Sequence, residues 1–101
     1  MEKTRSMIVR YTPRARGDLD KILVYLDERS PKGAKHVHYS IKRVVELIGE
    51  YPHSGRTIEE QNTRVLPVGR YPYLIYWSIE AGEVWILHLR HTSRQPWKNK
   101  E

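Results

Sequence analysis

Apolar positions along this chain change period twice, and the two changes mark out the fold. A short apolar run at residues 7 to 11, Met-Ile-Val-Arg-Tyr, reads as a strand that stops at Thr12-Pro13. That pair suits an N-cap and first helical residue, because a Thr hydroxyl satisfies an early backbone N–H and proline has none to lose. From there Ala15, Leu19, Ile22, Leu23 and Leu26 form one stripe, while Arg14, Arg16, Asp18, Asp20, Lys21 and Asp27 are expected to face outward. Ser30-Pro31 repeats the capping device within a few residues, so the two helices must form an antiparallel hairpin. In the second helix Ala34, Val37, Ile41, Val44, Val45 and Ile48 keep the helical period up to Tyr51-Pro52.

The period then drops to two. Residues 52 to 63 carry Pro, Gly, Ser and Asn without periodicity and predict a loop. Three aromatic and β-branched runs follow at about 64–68, 71–78 and 83–90, parted by Val68-Gly69-Arg70 and Glu80-Ala81-Gly82 as hairpin turns. The expected fold is α+β: an N-terminal strand, a helical hairpin, then a three-stranded antiparallel meander, all strands in one sheet under the two helices. Tyr71, Tyr73, Tyr76, Trp77 and Trp85 alternate along these strands, which predicts half in the core and half on the surface.

With 101 residues the chain has room for one core, hence one domain over 1–101, with residues 98–101 expected to be a disordered tail. Lys and Arg number 18 against 12 Asp and Glu, a net charge of +6 that favours an acidic partner such as nucleic acid or an acidic peptide. Cysteine is absent, which removes disulfides and thiolate zinc sites. No run approaches the roughly 18 apolar residues of a membrane span, and the first residues lack a signal-peptide core, so a soluble cytoplasmic protein without a membrane partner is expected.

Candidate chemistry is sparse. His88 and His91 stand three apart on a strand and so point to opposite faces, which argues against a metal site. The serines lack a nucleophile-elbow pattern, the glycines are scattered singly, and no cofactor is expected. Arg64, Arg70, Arg90, His91 and Arg94 lie in or beside the sheet among aromatic residues, a mixture that can grip phosphates or carboxylates. The plainer alternative for Arg64 and Arg94 is ion pairing with Asp18, Glu46 or Glu83. Trp97, after Pro96, either folds back onto the sheet or docks a partner.

In order and spacing, Tyr11-Thr12-Pro13 with Ala15, Asp18 and Leu19, Tyr51-Pro52-His53-Ser54-Gly55-Arg56, Arg64-Val65-Leu66, residues 69 to 76 (Gly-Arg-Tyr-Pro-Tyr-Leu-Ile-Tyr) and His91-Thr92-Ser93-Arg94 form a pattern. Over residues 7 to 97 it resembles the RelE/ParE superfamily of type II toxins, on the ParE-like side. The resemblance implies a toxin neutralised by a cognate ParD-like antitoxin in a hetero-oligomer and acting on DNA gyrase to block replication, with no sequence-specific DNA binding by the toxin alone. The alternatives it carries are a ribosome-dependent endoribonuclease of RelE type and an inactive toxin fold that works only in complex. At the positions matching the ribonuclease set stand Arg64, Leu66 and Tyr73, so only the first is basic; Arg64, Arg90, His91 and Arg94 are the fallback catalytic set. The expected target- or antitoxin-binding surface comprises Arg64, Arg70, Tyr73, His91, Arg94 and Trp97.

Overall fold

In a computed structural model, residues 6–58 and 62–93 are described. The expected positions for Arg94, Trp97 and the 98–101 tail lie outside them. Chain order is β1 (Val9–Tyr11), α1 (Pro13–Arg29), α2 (Pro31–Glu50), β2 (Arg56–Ile58), β3 (Thr63–Val68), β4 (Tyr71–Glu80) and β5 (Glu83–His91). The α+β architecture read from the sequence is the one observed. Both helix starts use the devices read there: Ala15 N–H donates to the Thr12 hydroxyl at 3.1 Å, and Gly33 N–H donates to the Ser30 hydroxyl at 3.0 Å.

One sheet of five strands runs β1-β5-β4-β3-β2. The first strand takes an edge and pairs parallel with the last, Val9 opposite Val84 and Tyr11 opposite Ile86, while the other pairings are antiparallel. The stretch expected as loop between residues 52 and 63 contains β2, a correction to that reading. Three residues are too few for a period of two to show, and Arg56 and Thr57 are exposed polar groups; only pairing with Val65 and Arg64 makes them a strand.

Val37, Ile41, Val45 and Ile48 of α2 pack with Ala15 of α1 against Val68, Tyr73, Ile75, Trp77, Val84, Ile86 and Leu89 of the sheet. The expected half-surface alternation of aromatics fails on β4, where Tyr73, Tyr76 and Trp77 are all buried. Both faces of this central strand are covered: Tyr76 stacks on His88 across the sheet from the helices, ring centroids 4.3 Å apart. The β4–β5 connection is a two-residue turn in which Ala81 and Gly82 both have positive φ, 52° and 77°, the twist that lets right-twisted strands meet.

On β5 the register slips. Tyr76 faces His88 but Trp77 faces Ile86, so Leu87 is an extra residue, a β-bulge. Beyond it β1 has ended, and α1 takes over the open edge. Thr12 N–H donates to the Ile86 carbonyl, the Thr12 hydroxyl donates to the Leu87 carbonyl at 2.9 Å, and Leu89 N–H donates to the Asp18 carboxylate at 3.1 Å. Asp18, expected to face outward, is instead half-buried as an edge acceptor, because the chain must satisfy a strand amide there.

Candidate functional site

The bulge and the edge contacts turn the last residues of β5 toward the outer side of α1, and a cleft of about 330 Å³ opens between them. Arg14, Asp18, Lys21, Ile22 and Tyr25 line it from α1, Tyr73 from β4, and Leu89, Arg90 and His91 from β5. Arg14, Asp18, Lys21 and Tyr25 step by four, three and four, so they form one polar stripe beside the apolar stripe of the helix. Arg14, Asp18 and Lys21 are expected from the sequence to face solvent, because nothing local shows which part of a polar face a strand end will meet; Tyr25 carries no such expectation.

Three permanent cations, Arg14, Lys21 and Arg90, surround one carboxylate, Asp18, which lies 3.8 Å from the Arg14 guanidinium and also holds the Leu89 amide. The cleft is therefore cationic with an apolar floor of Ile22 and Leu89. Tyr73 and His91 meet edge to face, centroids 5.3 Å apart. The Ser93 N–H donates to His91 Nδ1 at 3.1 Å, with the Ser93 hydroxyl 2.8 Å from the same nitrogen. A backbone amide can only donate, so Nδ1 is the acceptor and the proton of the neutral ring sits on Nε2. His91 and Arg90 can thus both offer N–H donors to an anion. The Thr92 N–H to Pro72 carbonyl bond closes the sheet at this end and holds His91 in place.

The structure divides the expected surface. Tyr73 and His91 come together in the cleft, joined there by Arg90 of the fallback catalytic set. Arg70 lies in the β3–β4 turn at the same end of the sheet, exposed and 5.8 Å above the Tyr71 ring, but outside the cleft. Arg64 lies elsewhere. Its Nη1 donates to the carbonyls of His53 at 2.6 Å and Ser54 at 3.2 Å, and Trp77 Nε1 donates to the Pro52 carbonyl at 3.0 Å, so β3 and β4 together clamp the turn after α2. Gly55 completes that turn at φ +77°, where a Cβ would come within 2.8 Å of both the Trp77 ring and the Val65 carbonyl oxygen. The segment Tyr51-Pro52-His53-Ser54-Gly55-Arg56 is thereby explained as scaffold. The ion-pair alternatives for Arg64 are not what holds it: Glu83 forks onto Arg10 at 2.9 and 3.2 Å, and Asp18 serves Arg14 and Leu89.

His88, on the opposite face from His91, is buried beside Tyr76. Burial, aided by the positive charges of Arg14 and Arg90, pushes its pKa down to about 4, so the ring is neutral at physiological pH.

Comparison with known proteins bears on the family and the fold. The family described as the ParE toxin of the type II toxin–antitoxin system parDE matches residues 9–96. A putative toxin, Y4kP, of Sinorhizobium fredii is 36% identical over 87 residues, covering 86% of this chain and 90% of that one. Toxin RelE2 of Caulobacter vibrioides is 33% identical over 86 residues, 83% of this chain and 93% of that one. Among solved structures, a chain of the chromosomal ParDE system from P. aeruginosa superposes with a TM-score of 0.77 at 22% identity, over 89% of this chain and all of that one. A chain of the RelBE2 toxin–antitoxin complex from Mycobacterium tuberculosis does so with 0.62, also at 22% identity, over 90% and 97% of the two chains. With the family's pattern running from β1 past the end of β5, and with relatives above 30% identity over most of its length, this chain belongs to the ParE toxin family of type II toxin–antitoxin systems.

Proposed function

We propose that this toxin acts on DNA gyrase in the cytoplasm rather than cleaving RNA, and that a ParD-like antitoxin neutralises it by covering the cleft between α1 and the end of β5. The observation that carries the gyrase reading is the use made of the positions where a ribonuclease of this fold would keep its catalytic groups. Arg64 is spent on two backbone carbonyls, Leu66 packs against the core, and Tyr73, at the cleft, carries no permanent positive charge. In-line RNA cleavage needs cations and an acid or base around the scissile phosphate, and these three positions do not supply such a set.

For the antitoxin, the cleft supports an amphipathic acidic segment: Ile22 and Leu89 offer apolar floor, and Arg14, Lys21 and Arg90 offer partners for carboxylates. Two relatives in solved structures come from systems named ParDE and RelBE2, in which a toxin has an antitoxin partner.

A second reading, ribosome-dependent RNA cleavage, draws on Arg90 and His91 together in a cationic cleft and on the name RelE2 of one relative. One experiment decides. The toxin is induced without antitoxin in a bacterial host, growth is scored, supercoiling by purified gyrase is assayed with purified toxin, and messenger RNA is mapped for cuts. Arrest with lost supercoiling and intact messages is the expected result. Arrest with cut messages and untouched supercoiling establishes the ribonuclease reading, and absence of arrest with antitoxin still bound establishes an inactive partner.

A further inference from the structure

The outer face of α2 carries a concentration of positive charge that neither the core nor the cleft uses. Lys32, Lys35, His36, Tyr39, Lys42 and Arg43 follow steps of three, one, three, three and one, which places them on one side of the helix, and all six are exposed. Tyr39, in the middle, leaves 64% of its surface open. The ion pairs formed among the described residues, Arg10–Glu83, Arg14–Asp18 and Arg29–Glu28, use none of the four permanent cations on this face.

The placement of Lys32 and Lys35 runs against the stability of the helix itself. A helix favours acidic groups in its first turn and basic groups in its last, where they offset the partial charges of unpaired N–H and C=O groups. In α2 the first turn holds no acidic residue and the last no basic one, and Lys32 and Lys35 open the helix while Glu46 and Glu50 stand toward its end. Helix stability therefore does not account for Lys32 and Lys35.

We propose that this face of α2 docks onto the sugar-phosphate backbone of duplex DNA, reading charge and groove shape and not base sequence. From Lys32 to Arg43 the stripe extends about 16 Å at 1.5 Å per residue. Over that length B-DNA presents roughly nine phosphate charges, so the four cations find partners in one orientation along the groove edge. The exposed side of α2, a helix of about 10–12 Å diameter, can face the major groove of B-DNA, about 12 Å wide, whereas the major groove of A-form RNA is too narrow to admit it. Tyr39 lies among the cations, where its hydroxyl can donate to a phosphate. Glu46 ends the footprint by repulsion, and the surface is separate from the cleft at the far side of α1. This inference does not rest on gyrase being the target.

The test is fluorescence anisotropy of a labelled 20-base-pair duplex of random sequence with the full chain, from 50 to 200 mM salt. Four phosphate contacts predict a slope of log K against log salt of about −3.6, since each contributes about −0.9. Lys35→Gln with Arg43→Gln should make the slope shallower by about 1.8. Arg16→Gln with Arg56→Gln removes the same net charge from exposed sites elsewhere and should leave the slope within about half a unit of the parent. The melting temperature of the α2 variant should lie within about 4 °C of the parent, because both residues are exposed and surface substitutions of this kind change stability by less than about 0.5 kcal/mol. Equal effects of the two double variants, no duplex binding at 50 mM salt, or tighter binding to A-form RNA with the same sensitivity to Lys35 and Arg43 would each overturn the proposal.

Discussion

Thr12 joins three parts of the molecule through one hydroxyl, and its replacement by Val tests the account of how the cleft is built. The Oγ1 accepts from Ala15 N–H as the N-cap of α1 and donates to the Leu87 carbonyl at the β-bulge. Val has nearly the same shape, so packing is kept and both bonds are lost. Removal of an N-cap costs about 0.5–2 kcal/mol. Leaving the half-buried Leu87 carbonyl without its donor adds about 1 kcal/mol, at the low end of the range because a carbonyl has a second lone pair and part of it meets water. The expected loss is about 2 kcal/mol, which for a domain of this size corresponds to about 8–16 °C in melting temperature. Urea denaturation at pH 7 measures it, with an unchanged m-value required for the comparison. Thr12→Ser restores both bonds and should recover all but about 0.5 kcal/mol. Because the bulge orients Leu89, Arg90 and His91, Thr12→Val should also weaken toxicity at temperatures where the protein is still folded. A Thr12→Val loss below about 0.5 kcal/mol, or a Thr12→Ser loss as large as that of Val, would refute the reasoning.

Three further outcomes follow from the geometry. Gly55→Ala should cost about 2–4 kcal/mol in urea denaturation, combining a positive φ with a Cβ 2.8 Å from a backbone oxygen that cannot move aside. Arg64→Ala should cost about 1–3 kcal/mol through the loss of two charge-assisted bonds to His53 and Ser54, while toxicity persists at low temperature; abolished toxicity in a folded Arg64→Ala protein would place Arg64 in the target surface after all. His88 has a folded-state pKa of about 4 against an ordinary 6.5, so the unfolded chain takes up its proton first as pH falls. The His88 contribution to stability is therefore intact above pH 6.5, declines between pH 6.5 and about 4, and changes no further below that; melting temperatures of His88→Gln should fall less over this window than those of the parent.

Much of the scaffold was legible because its determinants are local. The Thr-Pro and Ser-Pro pairs set both helix starts, and the α2 stripe from Ala34 to Ile48 was read as buried and is buried, apart from a half-buried Val44. The Ala81-Gly82 turn and the steps along β3 to β5 were likewise visible as turn chemistry and alternation. What escaped is non-local. β2 exists only as a partner of β3, and Asp18 leaves its polar helix face only because β5 outruns β1 and exposes the Leu89 amide.

The candidate site divides along the same line. Sequence by itself determined the inventory: a basic, cysteine-free chain, arginines and a histidine at the end of the last strand, and a family pattern of scattered single residues. It also separated His88 from His91, because a three-residue step along a strand changes face even next to a bulge. Only the tertiary structure decided which of these residues meet. Arg64 and His91 look equivalent as polar residues on the two strands that flank β4, yet one closes a turn through carbonyls 10 and 11 residues away and the other lines the cleft with a helix some 70 residues distant in the chain. Helix period and turn type are set by neighbours within about four residues, whereas a site is set by which strand edge a helix crosses, and that depends on one bulge at Leu87 and the hydroxyl that holds it.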